Sequence, residues 1–186
     1  REGELANHID AIERKIQSLD RTLTELRSRL GRKSEQREAY GRDMDSTEEI
    51  LRLKASGEIK GIIGKFSDLG KTNQEYSVAL EVAAGARMKN IVVEDSDVAR
   101  ACVNHLKGRK MGRLTFLPLR DLRPFFDPDR FSSNLSREGA IDLAINLVEF
   151  QDEHRKAFEF VFSNTLIIND IDSSKHMDRQ RMVTLD

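Results

Sequence analysis

Ile91-Val92-Val93-Glu94-Asp95 is followed by Ser96 to Lys110 and then by Gly112-Arg113-Leu114-Thr115-Phe116-Leu117-Pro118-Leu119. The first piece is a short β-branched run closed by acids, which suits a buried strand. Ser96 stands where a helix N-cap belongs, and Asp97 is favourable in the first turn. Val98, Ala101, Cys102, His105 and Leu106 recur at helical spacing, so 96–110 reads as a helix. Gly108 and Gly112 bracket its exit, and Leu114, Phe116 and Pro118 open a second extended segment. Strand, helix, strand is the outline of a crossover unit. Its chemistry is packing: it carries no evident nucleophile or metal cluster.

Upstream of this unit, Ile59 to Phe66 reads as a strand whose glycines let another backbone come close. Ser67 to Asn73 is a turn. Gln74 to Ala84 is a helix with Tyr76, Leu80 and Ala83 on one face; Val78, Ala79 and Val82 complete a buried side, and Gly85 is the stop. Downstream, Pro118, Pro124 and Pro128 punctuate an irregular link to about Gly139, with Phe125, Phe126 and Phe131 as anchors. Then follow a strand over 140–148, a helix over 152–162 with Ala157, Phe158 and Val161 inward, and a strand at Leu166-Ile167-Ile168-Asn169-Asp170. A short helix over 171–180 and a strand from Arg181 to Leu185 close the chain.

The second half repeats the first. Ile91 to Asp95 matches Leu166 to Asp170; Ala79, Val82 and Ala83 match Ala157, Phe160 and Val161; Arg113 to Leu117 matches Arg181 to Leu185. Helix, strand, helix, strand, twice over, implies two related subdomains about a pseudo-twofold axis.

Ahead of the globule, Leu5, Ile9, Ile12, Ile16, Leu19, Leu23, Leu26 and Leu30 are spaced alternately four and three apart. That is a heptad seam, narrower than the apolar stripe of a globular helix, and it predicts a coiled coil. At ~1.5 Å per residue it runs for about 39 Å. Gly31, Lys33, Arg37 and Gly41 weaken the register, so a bend or break is expected between 31 and 47. Ser46-Thr47-Glu48-Glu49 starts a fresh helix with Ile50, Leu51 and Leu53 inward. The expected division is 1–54 for the arm, 55–124 for a first subdomain with the start of the linker, and 125–186 for the rest.

Charged residues make up 34% of the chain, against about 25% in a typical domain, which suits a modest core joined to a solvated rod. Net charge is −1, but the middle third is basic and the last third acidic. The single cysteine, Cys102, excludes an intrachain disulfide and a CxxC metal motif and points to a reducing, intracellular setting. No apolar run approaches the ~18 residues of a membrane span, and no signal peptide is visible. The chain opens at Arg1 inside a helical pattern, so we read it as a piece of something longer.

Chemical motifs are few. Gly64 to Thr72 resembles a phosphate loop, but five residues separate its glycines where wrapping a phosphate needs four, so an ordinary turn is expected. His8, His105, His154 and His176 have no second ligand at metal spacing. Glu94, Asp95 and Asp97 read as helix-start acids. Arg87, Lys89, Lys107, Arg109, Lys110, Arg113, Arg120 and Arg123 cluster on turns and segment ends, where solvated cations can meet a phosphate backbone.

Gly61-Ile62-Ile63-Gly64, Ala79 to Gly85, Ile91 to Asp95 and Gly112 to Leu119 resemble the hinge domain of SMC proteins, the chromosome-organising ATPases of the cohesin and condensin type. Ala157-Phe158, Thr165 to Ile168 and Val183 to Asp186 fit in the same order, so the resemblance covers 59–186 and looks archaeal or bacterial. It implies an α/β (α+β) fold: two related subdomains with mixed sheets and flanking helices, preceded by a long coiled-coil helix. It implies a dimerisation module without catalytic, cofactor or metal residues, since ATP hydrolysis belongs to head domains outside this chain. The implied partners are a second SMC subunit, giving a homodimer, the returning arm of the same protein, and DNA; no membrane is involved, and the setting is cytoplasmic and nucleoid-associated. Family pattern also implies a glycine-rich motif and returning arm after Asp186. The expected interface edges are Arg181 to Leu185 and Arg113, Leu114, Thr115, Phe116 and Leu117, with Thr115 the position where a proline would remove a ladder donor. The rival readings are a DNA-binding module with secondary dimerisation and a P-loop enzyme.

Overall fold

The computed structural model describes Lys15, Gln17, 21–25, Ser28, 44–127, Asp129 and 132–185. The chain divides into two units, Arg1–Met44 and Asp45–Asp186. In the first, the described residues are helical, and Leu23, the one seam residue among them, is 50% exposed. Leu5, Ile9, Ile12, Ile16, Leu19, Leu26 and Leu30 lie outside the described residues, as does Phe131.

The second unit opens on helix α1, residues 45–56. Ile50 and Leu53 are fully buried, so residues 45–54, read above as the end of the arm, pack into the globule. Strand β1 (Ile62–Lys65) follows, then a 3-10 turn at Phe66–Asp68 and the two-residue strand β2 (Gly70–Lys71). Helix α2 spans Gln74–Ala84, as its periodicity predicts. Strand β3 (Ile91–Val93), helix α3 (Ser96–Gly108) and strand β4 (Phe116–Pro118) complete the first half. The second half holds the short helix α4 (Ser132–Leu135), β5 (Ala140–Leu143), β6 (Glu149–Phe150), α5 (Arg155–Phe162), β7 (Leu166–Ile168) and β8 (Met182–Thr184).

Two three-stranded sheets, β1-β3-β4 and β5-β7-β8, share one order: an antiparallel pair, then a parallel pair. Between them β2 and β6 pair antiparallel, with Lys71 opposite Glu149. The expected repeat is therefore real, and several of its backbone details recur. Gly61 and Gly139 both take positive φ, 87° and 83°. Their carbonyls accept the N–H groups of Glu94 and Asn169, just past the two central strands. Helices α2 and α5 end in the same turn, with Gly85 at φ 56° and Ser163 at φ 50°.

Period-2 alternation gives the first sheet two buried faces. Ile91 and Val93 pack with α1 and α3, against Ile50, Leu53, Cys102 and Leu106. Val92 and Leu117 face a core shared by both halves, built around Phe66, Leu80, Phe158, Phe162, Leu166 and Ile167. Phe158 stacks on Phe150 at 4.2 Å and meets Phe66 at 4.7 Å.

Several sequence expectations are corrected. Val78 and Val82 are 67% and 59% exposed: α2 buries one stripe, Ala79, Leu80, Ala83 and Ala84, and the two valines sit outside it. Ile59 to Gly61 is a turn and only 62–65 is strand. The expected strand over 140–148 breaks at a 3-10 turn, Ala144–Leu147; the expected helix over 171–180 is a 3-10 turn at Asp172–His176. Phe126 packs on the core, whereas Phe125 is 66% exposed. Gly64 to Thr72 is the end of β1, a turn with Phe66 buried, and β2.

Candidate functional site: two open sheet edges and a basic end

The cap of α3 is Asp95, not Ser96. Asp95 is extended (φ −151°), and its Oδ1 accepts from the N–H groups of Asp97 and Val98. Ser96 turns to Asp121 instead, giving that carboxylate both its N–H and its hydroxyl and lowering its pKa. Asp170 repeats the device in the second half, accepting from the Ser173 N–H, which pulls its own pKa down. These caps fix where each crossover leaves its central strand, and so where β4 and β8 return.

Among the described residues, both returning strands lie at an edge of their sheets. The inner side of β4 is set by the Ile91 N–H donating to the Thr115 carbonyl and the Leu119 N–H donating to Val93, each at 2.9 Å. Backbone groups alternate sides along a strand. Thr115 and Leu117 therefore turn toward β3, and Phe116 turns its N–H and C=O to the open side. Pro118 also points outward but has no N–H, and its carbonyl accepts from Asp121 and Leu122, so the edge closes there. In β8 the equivalent inner bonds are Leu166 N–H to Arg181 O and Leu185 N–H to Ile168 O, which turns Met182 and Thr184 outward. The shared register equates Thr115 with Arg181 and Phe116 with Met182. The sequence alignment of the repeat was thus two residues out at this strand, and Phe116, not Thr115, offers the open-edge donor. Leu117 is buried and Leu114 and Phe116 are partly buried in the two cores, so it is backbone rather than side chain that this edge presents.

The opposite edge of the first sheet is guarded. Lys54 donates from Nζ to the Ile63 carbonyl, beside a bulge between Ile62 and Gly64. A lysine and a bulge are the ordinary devices that blunt a sheet edge against pairing.

Two arginines tie the halves together. Arg181 donates to the Ala83 carbonyl in the last turn of α2, at 2.6 Å. Arg87 donates to the Val161 carbonyl in the last turn of α5, at 3.2 Å, with its guanidinium over Phe160. Ala83 and Val161 are equivalent in the repeat, so each helix C-terminus has a cation from the other half.

The eight cations predicted for DNA do not form one patch. Strands β3 and β4 run parallel and α3 returns between them. Lys89, Lys107, Arg109, Lys110 and Arg113 therefore lie toward the end where β3 and β4 begin, and Arg120 and Arg123 toward the other. Arg87 is engaged as described. Arg120 pairs with Asp95 at 2.9 Å, and Arg123 donates to the carbonyls of Arg120 and Leu122. Lys107, Lys110 and Arg113 are exposed. Arg109 lies 3.3 Å from Glu49 of α1, which the sequence placed only in a helix start. Glu49 also takes Arg52 at 2.8 and 3.1 Å and His105 Nε2 at 2.7 Å. The Arg52 and His105 hydrogen bonds hold its pKa at about 2. The Glu49–Arg52 spacing of three was the available signal; the link to α3 was not visible without the fold. Burial pushes the Cys102 thiol up, in keeping with a core role. No metal-binding cluster of His, Cys, Asp and Glu occurs among the described residues, and none of the helices searched there is long and apolar enough to cross a membrane.

The profile of the family described as SMC proteins Flexible Hinge Domain matches residues 59–178. The chain belongs to the SMC hinge family. The chain is 36% identical over 184 residues to the chromosome partition protein Smc of Methanocaldococcus jannaschii, covering 96% of this chain and 15% of that protein. It is 41% identical over 132 residues to the Smc of Aquifex aeolicus, covering 69% and 11%. The chain thus spans about 15% or less of these curated relatives' length. Among solved structures, it aligns with an asymmetric dimer of the Geobacillus stearothermophilus SMC hinge domain at TM-score 0.70 and 28% identity, over 76% of this chain and 59% of that one. It aligns with the Pyrococcus furiosus SMC hinge domain at TM-score 0.62 and 34% identity, over 78% and 80%. The fold class read from the sequence, paired α/β subdomains of the hinge type, is the one observed.

Proposed function

We propose that this hinge joins two SMC subunits by sheet extension, the edge strand β4 of one pairing with the edge strand β8 of the other, and so connects two coiled-coil arms in a chromosome partition protein. The observation that carries the reading is the pair of equivalent edge strands, β4 and β8, one per half among the described residues, in a molecule whose β1 edge is guarded by Lys54. A twofold dimer uses both of these edges at once, the closed outcome that isologous assembly favours. The role is mechanical; no catalytic group, nucleotide or metal in this segment is required, and any ATPase belongs elsewhere in a protein of the relatives' length. The setting that follows is cytoplasmic and chromosome-associated, with the returning arm as partner for the heptad seam.

The test is sedimentation equilibrium on a chain spanning the relatives' full length. Phe116→Pro, which removes the outward N–H, is expected to give monomers at micromolar concentration. Phe116→Ala keeps that N–H and is expected to remain dimeric. Dimers for both variants would exclude this edge.

A second function, contact with DNA, rests on Lys107, Lys110 and Arg113 exposed toward one end of the first sheet. Three phosphate contacts shift the slope of log affinity against log salt by about 2.7. Changing all three to Glu should abolish that part of the salt dependence for a short duplex; an unchanged slope would remove DNA from the reading.

A further inference from the structure

We infer that Glu49 is an electrostatic latch that withdraws Arg109 from the basic end while α1 is seated, so that the docking of α1 sets how strongly this end holds a phosphate backbone. The inference rests on the DNA reading above and adds its regulation. α1 is the segment through which the chain reaches the globule, and Ile50 and Leu53, beside Glu49, are fully buried in the core they share with Cys102 and Leu106 of α3. Glu49 is thereby carried onto the last turn of α3, where its side chain is only 10% exposed. There it meets His105 at 2.7 Å and Arg109 at 3.3 Å.

Arg52 is already shared between Glu49 and Glu58, at 2.8 Å to each. The groups facing Glu49 are thus Arg52 from its own helix and His105 and Arg109 from α3, with Glu58 completing the cluster. A carboxylate beside a guanidinium presents a dipole rather than a charge to anything beyond the ~8 Å screening length. Arg109 follows Lys107 and precedes Lys110 in the turn that ends α3, and its side chain is 57% exposed. Its position is right for a phosphate contact, but its charge is taken. Lifting α1, or neutralising Glu49, returns one cation to the basic end without moving Lys107, Lys110 or Arg113.

The experiment is a double-mutant cycle on duplex binding across a salt series, with Glu49→Gln, Arg109→Ala and the pair together. Thermal melts check that each variant folds, and Glu49→Met, which keeps the length of the side chain, replaces Glu49→Gln if it does not. One regained phosphate contact steepens the salt slope by about 0.9, so the gain from Glu49→Gln should grow about 3.5-fold as salt falls from about 200 to about 50 mM. Arg109→Ala is expected to change little in the parent and to erase the gain in the Glu49→Gln background. Additive effects of the two changes would overturn the latch, because a general loss of negative charge does not depend on Arg109. The triple change of Lys107, Lys110 and Arg113 to Glu separates the two claims: if binding survives it, the DNA reading fails, whereas its loss together with additivity in the cycle removes the latch alone.

Discussion

Glu49 illustrates how much a single carboxylate contributes when two helices supply its partners. Its pKa falls from an ordinary 4.5 to about 2, first through Arg52 and then through His105. A carboxylate whose folded pKa is depressed adds stability above its unfolded value and loses it as pH drops through the folded value. Thermal melts of the parent and Glu49→Gln should therefore differ most near neutral pH, and the difference should shrink between pH 4.5 and about 2. A gap that persists unchanged to pH 2 would show that the ion cluster is not what fixes α1. Gly70 makes a different kind of demand at the same scale. A Cβ there would lie 2.6 Å from Val148 and 2.9 Å from the Phe158 ring. Gly70→Ala should cost about 1–3 kcal/mol by overpacking, measured by denaturant unfolding.

At the scale of elements, the two crossovers show one design executed at two lengths. Asp95 and Asp170 each turn a carboxylate back onto the next turn, yet one starts a helix, Ser96–Gly108, and the other a 3-10 turn, Asp172–His176. Asp95→Ala should destabilise α3 by about 1 kcal/mol, and Ser96→Ala should not loosen the helix start, since its hydroxyl serves Asp121. Urea unfolding of the two variants checks the assignment; a larger loss for Ser96→Ala would reverse it. The element boundaries at the caps were off by a residue because Ser and Asp are both good N-caps, and sequence alone does not say which one is extended. The strand alignment of the repeat slipped by two because Arg113 and Arg181 look alike, whereas the register is set by backbone bonds from Ile91 and Leu166.

At the scale of the whole globule, the halves share one core. Phe158 of α5 touches Phe66 from the first half and Phe150 from the second, and Arg87 and Arg181 cross between the halves as helix caps. Phe158→Ala should cost about 3–5 kcal/mol. Because both halves lose the same packing, probes in each should unfold in one coincident transition. Separate transitions would mean that the subdomains are independent units joined by a linker.

Periodicity and local chemistry determined much of this protein from sequence alone: helix Gln74–Ala84 and the buried strands at Ile91 and Leu166, whereas the hinge-type fold followed from the resemblance to a family. The helix and the strands depend on neighbours a few residues away, so the sequence carries them. The tertiary structure decided the rest. It showed which strand edge is guarded and which strands return to a sheet edge, which face of α2 leaves Val78 and Val82 in solvent, and which of eight cations are already paired. Each of these depends on groups far apart in the chain, Glu49 with Arg109 or Arg181 with Ala83, and no local pattern encodes a distance that only folding closes.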